Sequence, residues 1–290
     1  MFSSRCQPKD GTPEIKNRPH WSYSQVSQFL RCPLQYYFER VAKLPRPHVS
    51  SSLVLGGSIH KALAEFHRHL QAGQVLSLAR VQRVFLDAWL ESEQAGPVQY
   101  REKDSKDQAI EQGQALLELY LKEPPTEKIL AVEQTFLVPL FTSQGEVLEK
   151  PLMAVPDLIC QGENRILVKE FKTSGRRFSE IETDGLMQAS CYVHAVQEYL
   201  GGPVAFRFVV LVKTTTPQVQ CLDTVRDEDV LDWIGDIVQS IERAIQAGIF
   251  YPVESPMNCS SCAFFKPCRE WKGVCTVAEC QPLESEAVPC

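Results

Sequence analysis

The stretch Pro151–Lys172, PLMAVPDLICQGENRILVKEFK, decides the fold. Pro151–Cys160 and Arg165–Lys172 are rich in apolar and β-branched residues, and Gln161–Asn164 between them carries turn chemistry, so the segment predicts a hairpin of two strands. If the hairpin turns on Glu163-Asn164, Asp157 and Glu170 are equidistant from the turn and lie directly across from one another. A four-residue loop over Gln161–Asn164 makes them diagonal neighbours instead. Strand side chains alternate with a period of two, so in both registers the two carboxylates share a face. Lys172, two residues beyond Glu170, joins that face.

Two carboxylates held together repel unless a cation binds between them, and oxygen ligands of this kind suit Mg²⁺ or Mn²⁺. A lysine beside them can orient a water and stabilise developing negative charge, which together is a constellation for phosphodiester hydrolysis. The spacing D-x12-E-x-K taken alone is better explained as a solvated strand face with an ion pair. Three features outside the hairpin shift the balance. Gln188 and Tyr192, spaced i,i+4, share one helix face. Gly56-Gly57-Ser58-Ile59-His60 sets a histidine near the start of a helix and off its apolar stripe. Glu133, on the preceding strand, is either a further polar group near the site or a surface charge.

Outward from the hairpin, Ala131–Phe141 reads as another strand, with Gly145 as a turn signal. On the N-terminal side, Ser22-Tyr23-Ser24 can cap a helix running through Gln25–Phe38, with Val26, Phe29, Leu30 and Tyr37 spaced for burial and Pro45 and Pro47 ending the region. A second helix fits Ser58–Gln71, where Ile59, Leu63, Phe66 and Leu70 recur. Residues 78–122 read as helical with a polar interruption at Ser92–Lys106, and Pro124-Pro125 breaks the chain. On the C-terminal side, residues 184–200 form a helix ending at Gly201-Gly202. Val204–Lys213 is an apolar strand, and Asp227–Ala247 an amphipathic helix closed by Gly248. This order predicts a mixed α/β fold. The expected organisation is a lead-in over 1–20, a single domain over 21–272 (a helical part 21–125, a core 126–215, and a helix with a ligand-bearing tail 216–272), and a final tail 273–290.

The bulk properties exclude several classes. With 44% hydrophobic and 23% charged residues over 290 positions, the chain is neither disordered nor fibrous. Apolar runs such as Phe208–Val212 are too short to span a bilayer, so no membrane partner is expected. The opening MFSSRCQPKDGTPEIK has no apolar segment after a basic one, which predicts no signal peptide and a cytoplasmic location. A net charge of −6 gives no general attraction to nucleic acid. Any such binding needs a local basic surface or bound cations. Arg31, Arg40, Lys43 and Arg46 cluster in the N-terminal part, and Arg176 and Arg177 follow the Glu170 strand; the last two are expected to contact phosphate. Tyr36, Tyr37 and Phe38 could stack bases, but core burial is the better expectation for them.

Eleven cysteines in a chain read as cytosolic point to ligation rather than disulfides. Cys259-x2-Cys262-x5-Cys268 is a compact ligand set short of its fourth member. Cys32, in Leu30-Arg31-Cys32-Pro33 at a helix end, is the best candidate. Cys275 and Cys280 are rivals that would make the tail a self-contained zinc knuckle. Four thiolates suit tetrahedral Zn²⁺ or a 4Fe–4S cluster, and spacing alone does not separate them. Cys160, Cys191 and Cys221 are expected to be ordinary buried thiols, and Cys6 and Cys290 lie near the ends.

Together these residues resemble the RecB-like branch of the PD-(D/E)xK nuclease superfamily, above all its cluster-bearing members, the CRISPR-associated exonucleases and AddB-type nuclease domains. Ser22-Tyr23-Ser24-Gln25 through Cys32-Pro33-Leu34-Gln35-Tyr36-Tyr37-Phe38 looks like the N-terminal signature and Gly56-x3-His60 like the histidine motif. Asp157 is similar to the first acidic motif, Glu170-Phe171-Lys172-Thr173 to D/E-x-K, Gln188-x3-Tyr192 to Q-x3-Y, and the tail to C-x2-C-x5-C. The resemblance runs from about Trp21 to Cys268. Two departures are Pro156 where many members have glycine, and Glu170 where this branch usually has aspartate.

The resemblance implies a restriction-endonuclease-like core, a central mixed β-sheet flanked by helices, with an N-terminal helical part and a Cys-rich tail closing an iron–sulfur cluster. It implies that His60, Asp157, Glu170 and the Phe171 backbone carbonyl hold Mg²⁺ or Mn²⁺, that Lys172 acts on the attacking water, and that Gln188 and Tyr192 orient the site or touch nucleic acid. It implies a 4Fe–4S cluster on Cys32, Cys259, Cys262 and Cys268. The expected function is a metal-dependent exonuclease on single-stranded DNA ends, serving DNA repair, recombination or CRISPR-type processing. No G-x4-G-K-[ST] stretch is present, so a helicase, if one is needed, is a separate partner. The rival class is a non-catalytic DNA- or protein-binding module on a nuclease fold.

Overall fold

The computed structural model describes residues 19–102, 104–226 and 228–273. The lead-in to residue 18 with Cys6, and the tail from 274 with Cys275, Cys280 and Cys290, lie outside the described residues.

The chain enters through β1 (Trp21–Ser22), and the Ser22 hydroxyl accepts from the Gln25 N–H at 3.4 Å to cap α1 (Tyr23–Arg31). The helix expected to run unbroken to Phe38 stops at Arg31. Pro33 cannot accept a helical residue before it, so Cys32 is extended (φ −163°), and a new turn, α2 (Pro33–Tyr36), starts with proline at its first position. A π-turn, Tyr37–Val41, follows. The break narrows the expected apolar stripe: Val26 and Phe29 are buried, whereas Leu30 is 53% exposed. Tyr36 and Phe38 are core residues, as expected.

β2 (Val49–Ser50) leads into α3 (Ser51–Gln71), capped by Ser50. This helix begins a full two turns before the expected Ser58, so Gly56 and Gly57 lie inside it and His60 sits well along it. The propensity cost of two glycines, about 1 kcal/mol each, is overridden by the buried row Val54, Leu55, Ile59, Leu63 and Phe66. Then come α4 (Leu78–Ala95), β3 (Val98–Gln99) and α5 (Lys106–Leu121), the last opened by a Ser105/Gln108 capping box.

The strand block is more divided than expected. Ala131–Phe141 is not one strand but the end of β4 (Lys128–Val132) and then β5 (Phe136–Val138), separated where Glu133 takes φ +47°. Pro151–Cys160 divides into β6 (Leu152–Ala154) and β7 (Leu158–Gln161), broken at Pro156, which has no N–H for a ladder. β8 (Ile166–Ser174) completes the hairpin. After α6 (Glu180–Asp184) and α7 (Met187–Leu200) come β9 (Val204–Val212), β10 (Gln218–Thr224) and α8 (Glu228–Gln246), then the short α9 (Pro256–Cys259) and α10 (Phe265–Glu270). β10 was not expected: it is an edge strand reading QVQCLDT, with none of the apolar density of β9. Its alternation leaves Cys221 exposed, against the expectation of a buried thiol; Cys160 and Cys191 are buried.

The five-stranded sheet runs β10-β9-β8-β7-β4, and a smaller sheet runs β1-β6-β5. β8 pairs in parallel with β9 over nine residues, with α6 and α7 as the crossover, and all other neighbours in the large sheet are antiparallel. Alternation sends Val168, Phe206, Phe208 and Val210 into one core beneath α1, α7 and α8. It sends Leu167, Phe171, Val209 and Leu211 into a second core beneath α3, α4 and α5. In that second core His67 stacks on Phe171 and meets Tyr120 Oη at 2.9 Å; burial pushes its pKa down to about 4, so it sits there as a neutral ring. No helix among the described residues is long and apolar enough to cross a membrane.

Candidate active site

The β7–β8 register pairs Leu158 with Lys169 and Gln161 with Ile166. One step further out along that register, Asp157 comes opposite Glu170, so the hairpin turning on Glu163-Asn164 is the one that forms. The Pro156 break frees Asp157 from the ladder. Its side chain turns back on β8, where Oδ2 accepts the Phe171 N–H at 2.8 Å, while Oδ1 lies 2.9 Å from His60 Nδ1 on α3.

Glu170 faces α7. It is 4% exposed, and its Oε1 accepts from Lys172 Nζ at 3.0 Å and from Gln188 Nε2 at 2.7 Å. Gln188 Oε1 accepts from Lys172 Nζ at 2.6 Å, which closes a three-membered ring of contacts. Tyr192, one turn along α7, lies close enough to Gln188, Glu170 and Asp157 for all three to act on its hydroxyl, and burial pushes that pKa far up. Glu170 Oε2 is buried and, among the described residues, has no hydrogen-bond partner. An acceptor so isolated costs about 1–3 kcal/mol in the absence of a ligand.

Burial, and then the charge of Asp157, push the Glu170 carboxyl up to about 7. Burial alone would lower the His60 pKa, but the Asp157 hydrogen bond and the charges of Asp157 and Glu170 outweigh it and the net shift is upward. Perturbed groups gathered in this way mark functional sites more often than structural ones.

The sheet, α3 and α7 thus bring His60, Asp157, Glu170, Phe171, Lys172, Gln188 and Tyr192 together. Among the described residues no three His, Cys, Asp or Glu side chains form a group that could hold a metal ion as they stand. At this site both Asp157 oxygens are engaged, Oδ1 with His60 and Oδ2 with the Phe171 N–H. The donor set itself, with two carboxylates, an imidazole, a carbonyl and an unpartnered buried oxygen, fits a hard divalent cation. Loading one would exchange the His60–Asp157 contact for ligation.

Other expected residues lie elsewhere. Glu133 pairs on the surface with Arg68 at 2.5 Å, settling it as a surface charge. Arg176 is exposed and held by both oxygens of Glu182, and Arg177 donates to Gln218. A residue the sequence did not suggest is Arg226. Buried after β10, it donates to Ser190 Oγ at 2.9 Å, Thr183 O at 2.9 Å and Leu186 O at 3.3 Å. It thereby clamps the start of α7, two residues from Gln188. A lone arginine beyond a polar edge strand carries no sequence signal for that role.

The C-terminal cysteines return to the N-terminal helix. Cys32, Cys259, Cys262 and Cys268 all line one small cavity of about 20 Å³, room for about one water. The Val253 N–H points at Cys32 Sγ (3.5 Å), and Asn258 Nδ2 donates to the Arg31 carbonyl at 3.2 Å. Leu34, Phe38 and Phe264 form the small core beside them. All four cysteines border that cavity, but among the described residues no three of them form a group that could hold a metal ion.

The chain belongs to the PD-(D/E)XK nuclease superfamily, whose family model matches residues 20–269. A nuclease domain of that superfamily implies DNA as the substrate. No curated protein matches the chain. The fold is similar to that of a solved Eubacterium rectale protein described as a candidate exonuclease, with a TM-score of 0.54 at 10% identity over 92% of this chain and 94% of that one. The solved structure of SSO0001 aligns at a TM-score of 0.33 and 15% identity over 82% of this chain and 93% of that one.

Proposed function

We propose that the protein is a metal-dependent exonuclease acting on single-stranded DNA ends, within a single nuclease unit over residues 21–272. The observation that carries the proposal is the Glu170–Lys172–Gln188 ring, in which one buried Glu170 oxygen has no partner among the described residues while the charges of Asp157 and His60 both act on the same carboxyl. An ion-paired strand face of purely structural origin would gain stability by satisfying that atom or replacing it with an apolar group.

His60, Asp157, Glu170 and the Phe171 carbonyl would hold Mg²⁺ or Mn²⁺. When bound, such an ion supplies Lewis-acid charge at the phosphoryl oxygens and acidifies a nearby water. Lys172 presents an ammonium group at the mouth of the pair and holds the attacking water. Gln188 fixes both Lys172 and Glu170 through opposite ends of one amide, and Tyr192 closes the α7 side against solvent. The exonuclease mode is supported by the fold shared with the E. rectale protein. Digestion of end-labelled single-stranded DNA with Mg²⁺, set against the same reaction in EDTA, tests the proposal. An inert protein in Mg²⁺ or Mn²⁺ overturns it in favour of a binding module. A helicase or another repair or recombination protein is the partner such an activity would need on duplex DNA.

Cys32, Cys259, Cys262 and Cys268 are proposed as ligands of a 4Fe–4S cluster. Support comes from their convergence on one cavity and from the Val253 N–H directed at a sulfur. Such a cluster would staple α1 to the tail. Anaerobically purified protein is expected to hold about four irons per chain. Cys259→Ser is expected to lose the visible absorbance and to melt earlier. A colourless preparation carrying one zinc would contradict the assignment.

A further inference from the structure

With a net charge of −6, the chain can draw an anionic strand only through a local field. One groove of about 950 Å³ departs from the overall balance. Arg31 at the end of α1, Arg46 ahead of β2 and Arg101 just beyond β3 line it, against one acid, Glu102. Arg46 is shared with Glu39 at 2.6 Å. Arg31 reaches no nearer than 3.5 Å to the Gln35 amide, and neither it nor Arg101 makes an ion pair among the described residues. Three cations from three separate elements therefore face the groove, and two of them are uncompensated.

The start of α3 also lines it. Ser50 Oγ accepts from the Leu53 N–H, which leaves the N–H groups of Ser51 and Ser52 without a partner inside the helix. A 21-residue helix thus turns its positive end into the same space. The cysteine tail forms another wall, and Tyr100 supplies an aromatic ring.

The helix face that borders the groove at Ser52 also carries His60 of the candidate site. Ser52, Gly56 and His60 recur every four residues on one face of α3. Eight residues of helix separate Ser52 from His60, about 12 Å at 1.5 Å per residue. Beside that face, Gly57 has open space where a side chain would start.

We propose that this groove is the track for a single strand of nucleic acid, with backbone phosphates held by Arg31, Arg101 and the N-terminus of α3. The strand then runs along the glycine-bearing flank of α3 to the Glu170–Lys172 site. The proposal rests on the nuclease reading and names where its substrate lies. A groove walled by the tail on one side and residues 99–102 on another suits one flexible backbone with a stacking ring, rather than a rigid duplex.

Binding of a fluorescent oligothymidylate in EDTA tests it without requiring cleavage. The double variant Arg31→Gln/Arg101→Gln is compared with the wild type and with Arg83→Gln, a surface arginine paired to Asp87 on α4. The double variant is expected to bind at least about tenfold more weakly. Its log–log salt slope is expected to fall by about 1.4, two phosphate contacts at about 0.7 each. Arg83→Gln should match the wild type. Unchanged affinity and slope in the double variant overturn the proposal, as does tighter binding of a duplex of the same length. Because no metal is present, a protein that binds as expected but never cuts would leave the track standing and remove the nuclease reading. One that cuts with an unaltered slope would do the reverse.

Discussion

Lys172→Met is expected to lower Mg²⁺-dependent cleavage of single-stranded DNA by roughly a thousandfold, the range seen when a positioned charge or proton donor is removed from a reacting centre. Methionine preserves the aliphatic stem, so packing beside α7 is kept while the ammonium group that meets Glu170 and Gln188 is lost. Glu170→Gln is expected to be as inactive, with a distinguishing signature. Its carboxyl is pushed up to about 7 by burial and then by Asp157, so it is held in the fold at the expense of its charged form. With a folded pKa above the unfolded value, Glu170's contribution to stability is fully present below about 4.5 and is lost as pH rises through about 7. Glutamine removes that loss. Chemical denaturation in EDTA at pH 8 should find Glu170→Gln at least as stable as the wild type although it is dead. A variant that unfolds more readily and yet still cuts would contradict both statements.

Gly235→Ala is expected to be the most damaging small change in the fold, at about 3 kcal/mol or a fall in melting temperature of roughly 10 °C. Gly235 lies on α8, and a Cβ there would stand 1.9 Å from the Phe141 carbonyl oxygen and 2.5 Å from its carbon. Both are backbone atoms, so no side chain can swing aside. The same loop is tied to α8 by the Ser143 N–H on Asp236 and by Gln239 on Glu146, at 3.0 Å each, so it cannot drift away freely. Nor can the helix retreat, since Ile234, Val238 and Ile241 are packed into the first core. Alanine's better helix propensity, about 1 kcal/mol, does not offset this. Gly57→Ala provides the contrast: it too is interior to a helix but faces open space, and is expected to stabilise by up to about 1 kcal/mol. Thermal melts of the two variants should move in opposite directions.

The site was legible in the sequence because its key contacts obey short-range rules. Period two puts Lys172 beside Glu170, and i,i+4 spacing puts Tyr192 above Gln188. The turn at Glu163-Asn164 alone sets Asp157 across from Glu170. The fold was legible less evenly. Pro33 and Pro156 each cut an element that hydrophobic pattern had drawn as continuous, and the Pro156 cut is what lets Asp157 leave the ladder and reach the Phe171 N–H. α3 extends through Gly56-Gly57 because its buried row outweighs propensity, a tertiary effect with no local trace. β10 and Arg226 could not be read at all: an edge strand has only one neighbour to satisfy, and Arg226 finds its partners on elements some forty residues earlier. Nor could the sequence show that Asp157 engages the His60 ring.

Titration of Mn²⁺ into the metal-free protein, followed by calorimetry without DNA, tests the central claim most directly. One ion is expected to bind the wild type at pH 8 and more weakly at pH 6, where protons occupy Glu170 and His60. Glu170→Gln and Asp157→Asn are each expected to lose more than about a hundredfold in affinity, beyond the loss typical of a partner one shell further out. Equal Mn²⁺ affinity in the wild type and both variants would mean that these carboxylates do not hold the catalytic ion.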